Sequence, residues 1–228
     1  KATMQNKKIL IIGDSNTLPH YNKNKEDLIS VEDVYVNLLI KELSNFQIEK
    51  TSIGGITTEQ LFYFSIPYYA SWVPDYIIVH SGINDIKSQI IKSKYTSIFY
   101  KFFSFFKVKK SFLKKKFIYN KSFLKHTSTP KVPLSNFRQQ AIKLKNVFSN
   151  SKIFWIEIHS DKRINNERPN TFERLTEYNK TLKDIFRLDF VELNDFDISN
   201  FTSDGYHLNK KGQFKLFHKL KKMILSSD

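Results

Sequence analysis

The chain has 228 residues, 40% of them hydrophobic, and no cysteine. This length suits one domain with a sizeable core, and the lack of cysteine excludes disulfides, thiolate catalysis and cysteine-based zinc sites. The net charge of +15 comes from one segment, because residues 86–156 hold 17 lysines and arginines and no acidic residue, whereas the rest of the chain holds 20 basic and 22 acidic residues.

Two features of the sequence bear on its location. No apolar run approaches the roughly 18 residues that a membrane-spanning helix needs. Only seven residues precede the first predicted strand, which is too few for a signal peptide. We therefore expect a cytoplasmic protein, with attachment to the periphery of a membrane as the alternative.

Apolar runs and amphipathic segments alternate along the chain. The runs predict strands at Lys8–Ile12, Phe46–Ser52, Tyr76–His80, Ile153–Ile158 and Phe190–Leu193. The amphipathic segments predict helices at Val31–Leu43, Thr57–Tyr69, Leu134–Phe148, Phe172–Phe186 and Lys211–Leu225, and Pro67 is expected to end the regular part of the second helix. This alternation predicts an α/β fold: a single three-layer α/β/α domain over residues 1–228 with a mainly parallel sheet of about five strands.

The stretch from Lys87 to Lys131 breaks the alternation. It is rich in lysine and phenylalanine, as in the run Phe102-Phe103-Ser104-Phe105-Phe106-Lys107. It is too long for a simple connection and too aromatic for a solvated linker. We predict an insert over residues 87–131 that forms one or two basic amphipathic helices, with its aromatic side chains packed against the domain rather than forming a lipid surface.

Three side chains have the chemistry of a nucleophilic triad. Ser15 follows the first strand, and Asp204 and His207 lie three residues apart near the other end of the sequence. In such a triad the hydroxyl attacks, the imidazole takes its proton, and the carboxylate fixes the imidazole tautomer. The alternative for Ser15 is a helix N-cap, and for the Asp-x-x-His pair a surface turn.

Ester hydrolysis also needs donors for the developing oxyanion, and two further positions can supply them. Gly55 allows a backbone N–H to approach closely, and Asn84 offers a neutral side-chain amide; Ser15 can add its own N–H. The alternative for Gly55 and Asn84 is a purely structural role in a turn. For Asp14 and Asp85 the structural role is the one that we expect.

The histidines other than His207 give no signal of a site. His20, His80 and His159 have no acidic partner evident in the sequence, and single histidines near strand ends are usually structural. The six histidines show no metal-ligand spacing.

The residues considered so far fall into four short blocks: Gly13-Asp14-Ser15, Gly55, Gly82-Ile83-Asn84-Asp85 and Asp204-Gly205-Tyr206-His207. The order of these blocks along the chain resembles that in the SGNH hydrolases, also called GDSL esterases. The resemblance implies a flavodoxin-like sheet and a serine ester hydrolase, with Ser15, Asp204 and His207 as its triad and Ser15, Gly55 and Asn84 as its oxyanion hole. It implies no metal or organic cofactor. The glycine that often follows the nucleophile in this family is absent, so the shape of that loop is expected to differ.

The substrate follows from a narrower resemblance. The basic insert, followed by Lys131-Val132-Pro133, is similar to a subgroup associated with bacterial surface-polysaccharide loci. This implies hydrolysis of O-acyl esters on a carbohydrate through an acyl-enzyme, with acetyl as the expected acyl group.

Several alternatives stay open at the level of sequence. The same triad serves a sugar O-acyltransferase, and the phenylalanines of the insert suit a lipid or thioester hydrolase. As a non-enzyme, the chain would bind nucleic acid or a membrane surface through the basic aromatic insert. We expect an acylated carbohydrate as partner, with an anionic glycan or a membrane surface drawn to the insert; nucleic acid is disfavoured because no recognised binding module is present.

Overall fold

Five strands form one parallel sheet in a computed structural model of the protein, which describes residues 6–21, 27–89, 129–166 and 168–227. The strands in these ranges are β1 (Lys8–Gly13), β2 (Gln47–Ser52), β3 (Tyr76–His80), β4 (Ser88–Gln89), β5 (Thr129–Pro130), β6 (Lys152–Ile156) and β7 (Phe190–Val191). The main sheet has the order β2-β1-β3-β6-β7, and all four neighbouring pairs are parallel. This is the flavodoxin-like order, in which the carboxyl ends of the strands meet at one edge.

Helices cover both faces of this sheet. They are α1 (Tyr35–Glu42), α2 (Thr58–Tyr69), the single turn α3 (Ile83–Ile86), α4 (Leu134–Val147), α5 (Thr171–Phe186) and α6 (Lys210–Leu225). Side chains of α2, α4 and α5 share one buried cluster with the strand residues that face them, and those of α1 and α6 share a second cluster on the other face. The expected three-layer α/β/α arrangement is confirmed.

Alternate side chains of β1 pack into the two buried clusters on opposite faces of the sheet. Leu10 and Ile12 belong to the cluster of α2, α4 and α5, whereas Ile9 and Ile11 belong to the cluster of α1 and α6. All four are at most 1% exposed. Such a strand is apolar on both faces, which is why its sequence reads as a continuous apolar run.

Two helix boundaries differ from the prediction by more than end fraying. The first helix begins at Tyr35 and not at Val31, because Ser30 and Asp33 form a hydrogen-bonded turn before it. The prediction that Pro67 ends the regular part of α2 is wrong, since α2 continues to Tyr69. Proline removes one intrahelical donor; the carbonyl that loses it belongs to Tyr63, a residue on the exposed side of the helix.

The expected insert lies mostly outside the described residues. Its two ends are described: Ser88–Gln89 and Thr129–Pro130 pair as antiparallel strands, which brings the start and the end of the segment together. The predicted basic helices fall on residues 90–128 and stay a prediction. None of the helices in the described ranges is both long enough and apolar enough to cross a membrane.

Candidate active site

The turn after β1 exposes one residue between buried neighbours. Ser15 is partly exposed, whereas Asp14 and Asn16 are buried at 1% and 3% exposure. The turn is tight: Oδ1 of Asp14 accepts from the Asn16 N–H at 3.0 Å, and the Thr17 hydroxyl donates to the Asp14 carbonyl at 2.6 Å. Gly13 is required here, because an added Cβ would lie 2.1 Å from Cγ2 of Thr17. The turn therefore presents the Ser15 hydroxyl and little else.

A continuous hydrogen-bond chain joins Ser15, His207 and Asp204. Oγ of Ser15 lies 2.8 Å from Nε2 of His207, and Nδ1 of His207 lies 2.6 Å from Oδ2 of Asp204. With Nδ1–H donating to the carboxylate, Nε2 is free to accept the hydroxyl proton, which is the tautomer that a general base needs. The structure thus brings together all three residues of the predicted triad.

The carboxylate of Asp204 is held as an acceptor. Oδ1 accepts from the backbone N–H groups of Tyr206 and His207, each at 3.0 Å, and from the Thr202 hydroxyl at 2.8 Å. Burial alone would raise the pKa of Asp204, but the hydrogen bond from His207, the charge of that imidazole and the backbone donors outweigh it and hold the pKa well below its usual value. Asp204 is therefore ionised and ready to stabilise an imidazolium.

Gly205 shapes the loop between the acid and the base. Its φ is +80°, and an added Cβ would lie 2.6 Å from Oδ1 of Asp161. Its carbonyl accepts from the Asp161 N–H at 2.8 Å and from the Ser160 hydroxyl at 3.0 Å. The loop that carries Asp204 and His207 is therefore fixed against the segment that follows β6.

Asn84 has the features of an oxyanion donor. It lies in α3 at the carboxyl end of β3 and is 2% exposed. Its Oδ1 accepts from Nζ of Lys87 at 3.3 Å, whereas its Nδ2 is buried without a hydrogen-bond partner among the described residues. Buried amide donors are normally satisfied, so an orphaned one at the carboxyl end of a central strand is a signal of function.

The glycine turn after β2 lies beside Ser15. A Cβ built on Gly54 would be 3.9 Å from Cβ of Ser15. Gly55 has a φ of +73°, but a Cβ there would meet nothing within 4 Å. Glycine therefore suits the left-handed backbone at residue 55, and the role of its N–H as an oxyanion donor stays a prediction.

Asp85 connects the two oxyanion segments. Its buried carboxylate accepts from the Thr58 N–H at 3.0 and 3.1 Å and from the Thr58 hydroxyl at 2.9 Å. Thr58 begins α2 directly after the glycine turn, so the bond ties that turn to the loop of Asn84. Burial raises the pKa of Asp85 to about 7.

Four residues near the triad were missed by sequence reasoning. Asn16 accepts from the Leu208 N–H with Oδ1 at 3.1 Å, and its carbonyl accepts from Nε2 of Gln213 at 3.1 Å, which joins the nucleophile turn to α6. His20 stacks on His207 with ring centroids 4.5 Å apart and an interplanar angle of 28°. Lys87, beside Asn84, is the fourth. The contacts of the first three span so much of the sequence that no local pattern marks them. Lys87 lies only three residues after Asn84, but nothing in the sequence marks its burial.

Among the described residues, His20, Asp204 and His207 form one group whose potential metal-ligand atoms lie within 4.8 Å of one another. The imidazoles are stacked, so their in-plane lone pairs run side by side rather than converging on one point. Both ring nitrogens of His207 are already engaged by Ser15 and Asp204. The arrangement fits a triad better than a metal centre.

A buried polar group lies behind the nucleophile turn. His80 and His159 have ring centroids 5.1 Å apart, and with Asp14 they line a small cavity of about 10 Å³. Burial lowers the pKa of His159 to about 4 and that of His80 well below its usual value. Both imidazoles are therefore neutral near pH 7 and serve as structural groups, in line with the sequence analysis.

The comparisons with known proteins bear on the fold. No family model and no curated protein matches the chain. Among solved structures it is similar to a lipase/acylhydrolase from Enterococcus faecalis, with TM-score 0.63 and 17% identity over 96% of this chain and 95% of that one. It is also similar to the acetylxylan esterase Axe2 from Geobacillus stearothermophilus, with TM-score 0.58 and 17% identity over 95% and 93%. The psychrotrophic esterase EstA from Pseudoalteromonas sp. gives TM-score 0.56 and 15% identity over 97% and 98%. These likenesses confirm the fold that the resemblance to the SGNH hydrolases implies.

Proposed function

We propose that the protein is an SGNH-type serine ester hydrolase. The observation that carries the proposal is the hydrogen-bond chain from Ser15 through His207 to Asp204, built at the carboxyl edge of the sheet from two distant parts of the sequence. Its neighbours in fold include a lipase/acylhydrolase and two esterases. A helix N-cap role for Ser15 would need neither the imidazole nor the acid behind it.

The reaction proceeds in two steps. Oγ of Ser15 attacks the acyl carbon while its proton passes to Nε2 of His207, and collapse of the tetrahedral oxyanion breaks the bond to the alcohol, which leaves with that proton. Water then gives a proton to His207 and attacks the acyl carbon; collapse of the second oxyanion breaks the bond to Oγ of Ser15, which takes the proton from His207 as the acid leaves. Nδ2 of Asn84 and the N–H groups of Ser15 and Gly55 stabilise the oxyanion in both steps.

The expected substrate is an O-acetyl ester on a carbohydrate. This finer assignment is supported by the resemblance of the sequence to a polysaccharide-associated subgroup and by the acetylxylan esterase among the structural neighbours. Transfer to a sugar hydroxyl instead of water would use the same residues. Release of acetate from acetylated oligosaccharides, measured with and without an added sugar acceptor, distinguishes the two.

The insert over residues 87–131 supplies the partner preference in this proposal. With 13 lysines and no acidic residue it attracts an anionic glycan or an anionic membrane surface. Replacing Lys114, Lys115 and Lys116 with serine is expected to leave hydrolysis of a small neutral ester unchanged and to weaken activity on an anionic polymer at low salt. Equal activity on the polymer would refute this role.

The activity itself is tested by turnover of p-nitrophenyl acetate. Wild-type protein is expected to hydrolyse it, and Ser15→Ala is expected to abolish turnover with an unchanged circular dichroism spectrum. A serine-directed phosphonate should label Ser15 alone, as located by mass spectrometry. Retained turnover in the folded Ser15→Ala variant would overturn the assignment of the nucleophile.

A further inference from the structure

Lys87 is a buried lysine at the edge of the candidate site. It directly follows α3, is 8% exposed, and has two close partners. Nζ donates to Oδ1 of Asn84 at 3.3 Å and lies 3.6 Å from the centre of the Tyr206 ring. Both partners are uncharged, whereas buried lysines are usually paired with a carboxylate. The cost of burying this ammonium therefore calls for an explanation.

The contact with Asn84 fixes which way the amide points. An ammonium group only donates hydrogen bonds, so the amide oxygen and not the nitrogen must face it. With Oδ1 held by Lys87, Nδ2 is directed to the other side, where it is buried and unpartnered. A donor aimed in advance at the place where negative charge develops is what an oxyanion hole requires.

The contact with Tyr206 extends this arrangement to the triad. Tyr206 lies between Asp204 and His207, and its ring centre is 4.3 Å from that of His207. The ammonium over the Tyr206 ring is a cation–π contact, the type that gains strength when it is desolvated. Lys87 thus contacts both the residue that donates to the oxyanion and the loop that carries the base.

We propose that Lys87 is a positioning residue of the oxyanion hole, which orients the Asn84 amide and adds a positive charge close to the developing oxyanion. This inference rests on the proposed ester hydrolysis and adds a residue to it. Lys87 acts through Asn84, and its effect is on the transition state more than on substrate binding. The expected signature is therefore a loss in kcat with little change in KM.

The charge of Lys87 is also expected to make the activity depend on pH. Burial lowers the pKa of Lys87 to about 8, Asp14 and Asp204 oppose this shift, and Lys131 and Arg168 add to it. An exposed lysine titrates near pH 10.4. Activity is therefore expected to fall above about pH 8 as Lys87 becomes neutral.

Two substitutions test the inference with p-nitrophenyl acetate. Lys87→Met removes the charge and the donor, and we expect kcat to fall by about 10-fold, KM to stay within about twofold, and the decline above pH 8 to vanish. Lys87→Arg keeps a charge that cannot be lost in this range, so it is expected to restore most of kcat and also to lack the decline. A folded Lys87→Met variant with wild-type kcat and an unchanged pH profile would overturn the inference.

Controls separate this outcome from other failures. Lys8→Met is the matched control, since Lys8 also donates to a carbonyl and lies over an aromatic ring, but at the amino edge of the sheet. It is expected to leave kcat and the pH profile unchanged. If the folded Ser15→Ala variant still turns over p-nitrophenyl acetate, the proposed function itself is refuted. If Ser15→Ala is inactive and Lys87→Met has the kcat and pH profile of the wild type, only the role of Lys87 is refuted. Should Lys87→Met fail to fold, a decline that persists near pH 8 in Lys87→Arg overturns the inference.

Discussion

His207 is the residue on which the candidate site depends most, because each of its ring nitrogens has a partner. His207→Ala is expected to lower kcat by about 10⁴-fold or more, and Asp204→Asn somewhat less, since the base can still reach the right tautomer at times. The double variant should cost far less than the product of the two single effects, because each substitution disables the same unit. Kinetics of the three variants with p-nitrophenyl acetate provide the measurement, and multiplicative losses would show that the residues act independently.

Asn84 allows a direct test of the oxyanion hole. Asn84→Ala is expected to lower kcat by about 10²–10³-fold with KM little changed, because the donor is needed mainly in the transition state. Asn200 is a matched control: its Nδ2 is also buried without a partner among the described residues, but it lies in the short turn Ile198–Asn200 before the triad loop. Asn200→Ala should lower stability and spare kcat. A similar loss of kcat in both variants would mean that the Asn84 effect is structural.

At the scale of the elements, two glycines with positive φ give contrasting predictions. Gly55→Ala meets open space, so its cost is the left-handed backbone alone, about 1–2 kcal/mol in the free energy of unfolding. Gly82→Ala adds a clash, since the new Cβ would lie 2.5 Å from Cδ1 of the buried Ile158. We expect Gly82→Ala to be clearly the more destabilising in equilibrium urea unfolding. Equal losses would show that the core around Ile158 yields easily.

The elements also show what could be predicted from the sequence. The strand Tyr76–His80 was predicted with its observed bounds, because a strand buried on both faces reads as an unbroken apolar run. The start of α1 was predicted too early, because Val31 continues the helical spacing although it is 56% exposed in a turn. Spacing reports the periodicity of apolar residues, whereas the Ser30–Asp33 bond that sets the boundary is a single polar contact.

The same distinction applies to the site. The triad and the candidate oxyanion residues were found because they stand in short blocks in a fixed order along the chain. His20 and Lys87 were not found, because what marks each is a neighbour that is distant in sequence: the ring of His207 for His20 and the ring of Tyr206 for Lys87. Such neighbours become visible only after the strands are placed side by side.

At the scale of the whole molecule, the buried histidines make the stability depend on pH. The pKa of His159 is lowered to about 4 by burial, whereas the unfolded residue titrates near 6.5. Between these values the unfolded chain binds a proton that the folded protein does not, so the free energy of unfolding falls as pH falls through this window. From pH 7 to pH 5 this amounts to about 2 kcal/mol for His159.

The measurement compares urea unfolding of wild type and His159→Gln at the two pH values. The variant is expected to lose less stability than wild type on acidification, although Asp85, whose pKa is raised to about 7, shifts both proteins in the opposite direction. His218→Gln, at an exposed histidine, serves as the control and should follow wild type. Parallel curves for wild type and His159→Gln would contradict a neutral, buried His159.

The bond between Ser15 and His207 joins residues 192 positions apart, and Gln213 of α6 adds a further contact to Asn16 at a separation of 197. Contacts of this span are slow to form, because the entropy of closing so long a loop is lost before the contact itself stabilises the fold. A growing chain therefore carries its serine through the synthesis of 192 further residues before the base that would activate it is made. In the proposed enzyme, reactivity arrives only when α6 and the loop before it dock on the serine turn, so ester turnover would report the folding of this domain rather than the mere presence of the protein.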